Sequence, residues 1–163
     1  GTDDVMACGL TADWTAGFTA LVIVKLDVQF TDYRGIITNR SGAGAANWWT
    51  LGVTLNAVTP TLEVTGGAIQ AGSLDMTAAF RLLTIRRVGT AMRFYENGSA
   101  ITPLIEANVG GVTNTLVIGQ WFTGAQNWDG DQGAIIIYNR ALSNSELTRL
   151  HRWASRRWGI AVS

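Results

Sequence analysis

The run Gly133 to Tyr138, GAIIIY, is apolar, β-branched and of strand length. Its unbroken Ile135, Ile136 and Ile137 predict a strand covered on both faces, and so a central one. Asn139 to Leu142 turns the chain, and Ser143 with Glu146 three residues on forms a capping box that predicts a helix starting at Ser143. Leu147, Leu150, Ala154 and Trp158 follow at helical spacing, Arg149, Arg152 and Arg156 fall on other faces, and Gly159 is placed to end the helix. Upstream, turn signals at Ser41 to Ala46, Gly66-Gly67, Gly89-Thr90, Asn97-Gly98 and Gly110-Gly111 separate short apolar or alternating runs. That punctuation is expected of an all-β sandwich. Asn97-Gly98 is the strongest hairpin signal, because both central residues of the favoured tight turn need positive φ. It predicts that Met92 to Glu96 pairs with the strand that follows, while Gly89-Thr90 pairs Arg81 to Val88 with Met92 to Glu96. In Asn47 to Val53, NWWTLGV, alternation sends Trp49, Leu51 and Val53 to the core and Trp48, Thr50 and Gly52 to the opposite face.

The strand after a Gly-Asp turn, then YNRALSNSEL, then a helix closing on RRWGI, resembles the C-terminal signature of the concanavalin A-like lectin/glucanase superfamily, especially its laminin-G-like bacterial and phage modules. Gly17 to Leu26 resembles that family's opening strand, Arg34 to Arg40 and Asn47 to Val53 its next pair, and Arg81 to Ile101 its central hairpin. Thr115 to Trp121 resembles the strand before the final one. The resemblance runs from about Trp14 to the end, and its YNRAL-to-helix segment is the most specific part. It implies an antiparallel β-sandwich, a concanavalin A-like jelly roll, with one C-terminal α-helix packed on it, and residues 1–163 as one such domain. Many relatives carry an apolar residue and then a Glu after the Gly-Asp turn, where this chain has Gln132 and Ala134, so any role of that Glu is lost.

Composition agrees with one globular core: 163 residues, 47% hydrophobic and 15% charged. No apolar run is long enough to span a bilayer, and the opening GTDDV does not read as a signal peptide. The single Cys8 excludes an intrachain disulfide and multi-cysteine zinc sites, and reads as a plain thiol. A formal net charge of zero argues against general affinity for nucleic acid or acidic membranes. Charge is unevenly placed, however: Arg149, His151, Arg152, Arg156 and Arg157 make the last helix basic, and Asp3, Asp4, Asp13, Asp27 and Asp32 make the first fifth acidic. A solvated helix face is the simpler reading, with an anionic-ligand patch or a head-to-tail subunit contact as its rival.

Catalytic chemistry is poorly represented. The glucanases of this fold family place carboxylates at alternate positions of one strand, on one face. No such cluster exists here, and Glu63 and Glu96 read as isolated, outward, solvated carboxylates. Asp129 and Asp131, in WDGDQG, look like half of a calcium loop whose later ligands are missing, so calcium is a possible cofactor and no other is expected. His151 lacks a Ser or Cys partner motif and reads as a surface or packing residue. GAGAAN, Gly42 to Asn47, lacks the Lys of a phosphate cradle and reads as a loop.

Seven tryptophans are the best functional lead. Sugars present apolar faces and polar rims, which exposed rings flanked by Asn, Asp or Arg suit. Trp48 beside Arg40 and Asn47 is one candidate platform. Trp121 and Trp128, with Phe122, Asn127 and Asp129 in what reads as a long inter-strand loop from Gln120 to Asp131, form a second. Trp14, Trp153 and Trp158 read as packing residues. The expected function is a non-catalytic carbohydrate-recognition module, and the resemblance implies cell-surface glycan in a phage-tail or secreted-adhesin setting, extracellular or on a virion surface. The alternative is a structural or protein-interaction module of a larger assembly, contacting sister subunits or neighbouring domains through the same aromatics. Neither nucleic acid nor membrane insertion is expected.

Overall fold

The computed structural model describes residues 6–7, 17–29, 31–40, 48–54, 57–64, 68–106, 115–122 and 125–163. Cys8, Trp14, Asn47 and the rest of the 42–47 stretch lie outside the described residues. In chain order the elements are β1 (Met6–Ala7), β2 (Phe18–Leu26), β3 (Arg34–Thr38), β4 (Trp49–Val53), β5 (Pro60–Val64), β6 (Ala68–Ala71) and β7 (Arg81–Val88). There follow β8 (Ala91–Glu96), β9 (Ser99–Ala100), β10 (Ile105–Glu106), β11 (Val117–Ile118), β12 (Gln120–Phe122), β13 (Ala125–Asn127), β14 (Gly130–Tyr138) and α1 (Asn144–Trp158).

Two antiparallel sheets pack face to face, as the alternating runs predict. One has the order β1-β11-β3-β4-β5-β6, the other β10-β8-β7-β2-β14 with β9 on β8. The inner face of the second sheet contributes Phe18, Val22, Leu26, Leu83, Ile85 and Phe94, and the first contributes Ile37, Trp49, Leu51, Val53 and Leu62. Trp49 is fully buried and stacks on Phe18 with ring centroids 4.9 Å apart. Burying each such side chain contributes about 3 kcal/mol, which is why the alternating residues choose this face.

The outer face of the second sheet carries Leu21, Ile23 and Leu82, covered by Leu150, Ala154 and Trp158 of α1 and by Ile160 beyond it. The helix begins where its sequence says it should. Ser143 caps it, its side chain accepting from the Glu146 backbone, while Glu146 Oε2 accepts from Ser143 N at 2.8 Å. Gly159 ends it at φ 66°, in the left-handed region. The Asn97-Gly98 turn, with φ 48° and 89°, joins β8 to β9, and Gly89-Thr90 joins β7 to β8 in the expected register.

The position of β14 differs from the sequence expectation. Ile135 and Ile137 face the sandwich core while Ala134 and Ile136 face the helix, so both faces are covered, but among the described residues β14 pairs with β2 alone and forms the sheet's edge. A run of isoleucines reports two covered faces and carries no information on whether there are two neighbouring strands.

The stretch from Gln120 is a second correction. It is not one long loop: β12 and β13 pair as a two-stranded ribbon, and the backbone of β12 lies against β3 and β4 on the outer face of the first sheet. Gly35 and Gly52, directly opposite in register, make room for this layer. A Cβ on Gly35 would sit 1.9 Å from the Gln120 carbonyl oxygen, and one on Gly52 would sit 2.9 Å from Trp121 Cζ3. Thr50 Oγ1 donates to the Trp121 carbonyl at 3.1 Å and shares a 2.6 Å hydrogen bond with Thr38. The face that alternation assigned to solvent is therefore the floor of a third, small layer.

Candidate functional site

The aromatic platforms expected from sequence are inside. Trp48 is 5% exposed, and the Arg40 guanidinium lies 4.0 Å above its ring. Trp121 is 2% exposed and tilts against Tyr33 at 5.0 Å, holding the β12–β13 ribbon down. Trp128 is 7% exposed and belongs to the main core. Asn127, half-buried, accepts from Gln120 Nε2 at 3.0 Å, while Asp129 and Asp131 are exposed. Packing thus takes up all three rings and leaves Asp129 and Asp131 exposed and Arg40 half-buried. Among the described residues, no group of three or more His, Cys, Asp or Glu side chains is arranged to hold a metal ion.

Three further expectations change. Glu96 is 4% exposed rather than solvated, its Oε2 accepting from Ser73 N and its Oε1 from Leu74 N, each at 2.9 Å, so it ties down the 73–74 backbone. Glu63 is half-buried, and burial raises its carboxyl above the usual range while Arg40 draws it back down. Trp153 is exposed at 42%, its ring edge-on to Trp158 at 5.3 Å, whereas Trp158 packs under the helix as expected.

A concave site lies elsewhere, where α1 crosses the outer face of β7 and β8. Strand alternation points Thr84, Arg86 and Val88 of β7, and Ala91, Arg93 and Tyr95 of β8, toward the helix. The two-residue turn fixes their register, setting Arg86 directly opposite Arg93. From the helix come Asn144, Thr148, His151 and Arg152, and with Arg86, Val88, Ala91, Arg93 and Tyr95 of the strands they line a groove of about 750 Å³. The groove is of the size that holds small ligands.

Its electrostatics are one-sided. Arg86, Arg93 and Arg152 line it, and no Asp or Glu does. Arg86 Nη1 donates to Asn144 Oδ1 at 2.7 Å, whereas its buried Nε has no partner. Like charges directly across an antiparallel pair are destabilising, so the Arg86–Arg93 pair is a cost borne by the fold. The nearby carboxylates are engaged elsewhere: Glu146 with Arg140 at 2.7 Å, Glu96 with the 73–74 backbone. His151 floors the groove at 6% exposure, with Nε2 3.1 Å from Thr84 Oγ1 and its ring edge-on to Tyr95 at 5.9 Å. Burial pushes its pKa down to about 4, so it is a neutral imidazole at physiological pH. The arrangement can bind an anion and offer neutral hydrogen-bonding groups around it. It contains no pair of carboxylates for acid–base work.

The basic helix is legible in the sequence and the groove is not. The signal was available in part, since the Gly89-Thr90 turn already places Arg86 across from Arg93; what brings Arg152 over them is tertiary packing.

No protein-family profile matches the chain, and no curated protein does. Solved structures do match in fold. Trypanosoma rangeli sialidase superposes with a TM-score of 0.65 at 18% identity over 88% of this chain, which spans only 23% of that protein. The CBM40 of a Ruminococcus gnavus IT-sialidase, solved bound to α2,3-sialyllactose, gives 0.66 at 13% identity, covering 86% of this chain and 84% of the module. A heptameric SAP-like pentraxin from Limulus polyphemus gives 0.62 at 16% identity, with 84% and 70% covered. Likeness at such identities establishes the β-sandwich fold. Among the described residues no helix is long and apolar enough to cross a membrane.

Proposed function

We propose that this chain is a non-catalytic carbohydrate-recognition module of the concanavalin A-like, laminin-G-like kind, acting on cell-surface glycan in a phage-tail or secreted-adhesin setting. The observation that carries the reading is the groove between α1 and the β7–β8 hairpin. Its walls belong to a helix and two strands, its floor carries the Tyr95 and His151 rings, and Asn144, Thr148 and three arginines supply hydrogen bonds with no Asp or Glu side chain among them. Saccharides need this combination of ring edges and directed donors. The fold shared with a module solved on sialyllactose supports the reading. Arg40 over Trp48 is one secondary place to look, and the exposed Asp129 and Asp131 are another, where calcium is worth testing.

A glycan array probed with the purified protein, with and without Ca²⁺, tests this. Saturable capture by defined glycans supports the module, whereas a blank in both conditions favours the structural or interaction role. Release of reducing ends from a captured polysaccharide would overturn the non-catalytic part.

A further inference from the structure

We propose that the groove between α1 and the β7–β8 hairpin selects acidic saccharides, holding a carboxylate or sulfate among Arg86, Arg93 and Arg152; the inference rests on the carbohydrate-recognition reading. Three features of the groove converge on it.

First, Arg86 and Arg93 lie directly opposite in register across β7 and β8, Arg152 of the helix lines the same groove, and none of the three has a carboxylate partner among the described residues. Such a cluster is relieved by an anion that is not part of this chain. Planar guanidinium forks match carboxylate and sulfate oxygens, forming charge-assisted bonds roughly twice as strong as neutral ones. Second, the buried Arg86 Nε has no hydrogen-bond partner, although its Nη1 is fixed by Asn144 at 2.7 Å. A buried N–H left unpaired is costly, and an anion drawing the Arg86 guanidinium into the groove would give it an acceptor. Third, the remaining lining is not uniformly charged. Asn144, Thr148, His151 and Tyr95 add neutral donors, acceptors and ring edges, and Val88 and Leu104 add an apolar rim exposed at 53% and 40%. A bare ion would leave most of a 750 Å³ groove unfilled, and an acidic sugar would use all three kinds of surface.

The test is the full chain on an array carrying uronate-, sialate- and sulfate-bearing glycans beside their neutral parent chains. Arg93→Gln and Arg152→Gln, at solvent-accessible positions, remove groove charges, and Arg156→Gln, exposed on the helix but outside the groove, controls for general charge loss. The expected result is capture of acidic glycans over their parents, weakened at least about tenfold by Arg93→Gln and severalfold by Arg152→Gln, and unchanged by Arg156→Gln. Equal capture of the neutral parents overturns the acidic selectivity and leaves the recognition reading standing. Acidic-glycan binding that survives both groove variants overturns the groove as its site. Polyglutamate competing as well as the acidic glycans overturns the saccharide class, and no capture of any glycan overturns both this inference and the function it rests on.

Discussion

Acidification should destabilise this fold through His151. The imidazole is 6% exposed, wedged between Thr84 and the Tyr95 ring, and burial holds its pKa at about 4 against an ordinary 6.5. The unfolded chain therefore takes up a proton near pH 6.5 that the folded chain resists until about pH 4. Stability contributed by the neutral ring is complete above pH 6.5, is lost as the pH falls through this window, and stops changing below about 4. At pH 5 the full shift corresponds to about 2 kcal/mol relative to pH 8, and water reaching the ring from the groove reduces this to about 1 kcal/mol. Urea unfolding followed by tryptophan fluorescence at pH 8, 6 and 5 measures it, with His151→Gln as the reference. Glutamine keeps a hydrogen-bonding group near Thr84 and does not titrate. Glu63, whose raised pKa pushes stability the opposite way with pH, is present in both proteins and cancels from the comparison. The wild type should lose about 1 kcal/mol more than the variant between pH 8 and 5. Parallel pH dependences in the two proteins would refute the reasoning, because the buried ring would then not resist protonation.

Two further outcomes test the architecture. Gly35→Ala places a methyl group 1.9 Å from the Gln120 carbonyl, so the β12–β13 ribbon must lift from β3. This overpacking should cost about 3 kcal/mol and lower the melting temperature by about 10 °C in calorimetry, and an unchanged melt would sink the three-layer reading. Ser143→Ala removes the side chain that caps α1 and should cost about 1 kcal/mol in chemical denaturation, an effect absent if the capping box were incidental.

The helix, both hairpin turns and the inward face of β4 were legible because each is written in neighbouring residues. The Ser143–Glu146 box, Gly159, and the Asn97-Gly98 and Gly89-Thr90 turns act over three or four positions, and their structures are local consequences of capping geometry and positive φ. Period-two alternation likewise sent Trp49, Leu51 and Val53 to the core without any knowledge of what they would meet.

Alternation, however, separates two faces and does not say what covers either. Trp48 lies buried with Arg40 stacked over its ring, and Thr50 with a segment 71 residues away bonded to it. The strand glycines Gly35 and Gly52 were the hint of that close approach, readable only once their opposition in register was known. The groove has the same origin. The turn set Arg86 across from Arg93, but its closing wall comes from a helix whose Asn144 is 58 residues from Arg86 and meets it only because the apolar stripe of α1 docks on the sheet. The sequence by itself therefore determined the elements, their caps and the face each strand turns inward, since those follow from short-range sterics and hydrogen bonding. Tertiary structure alone decided which outward faces are covered and where three arginines converge, because burial and electrostatic fields depend on distances between residues far apart in the chain.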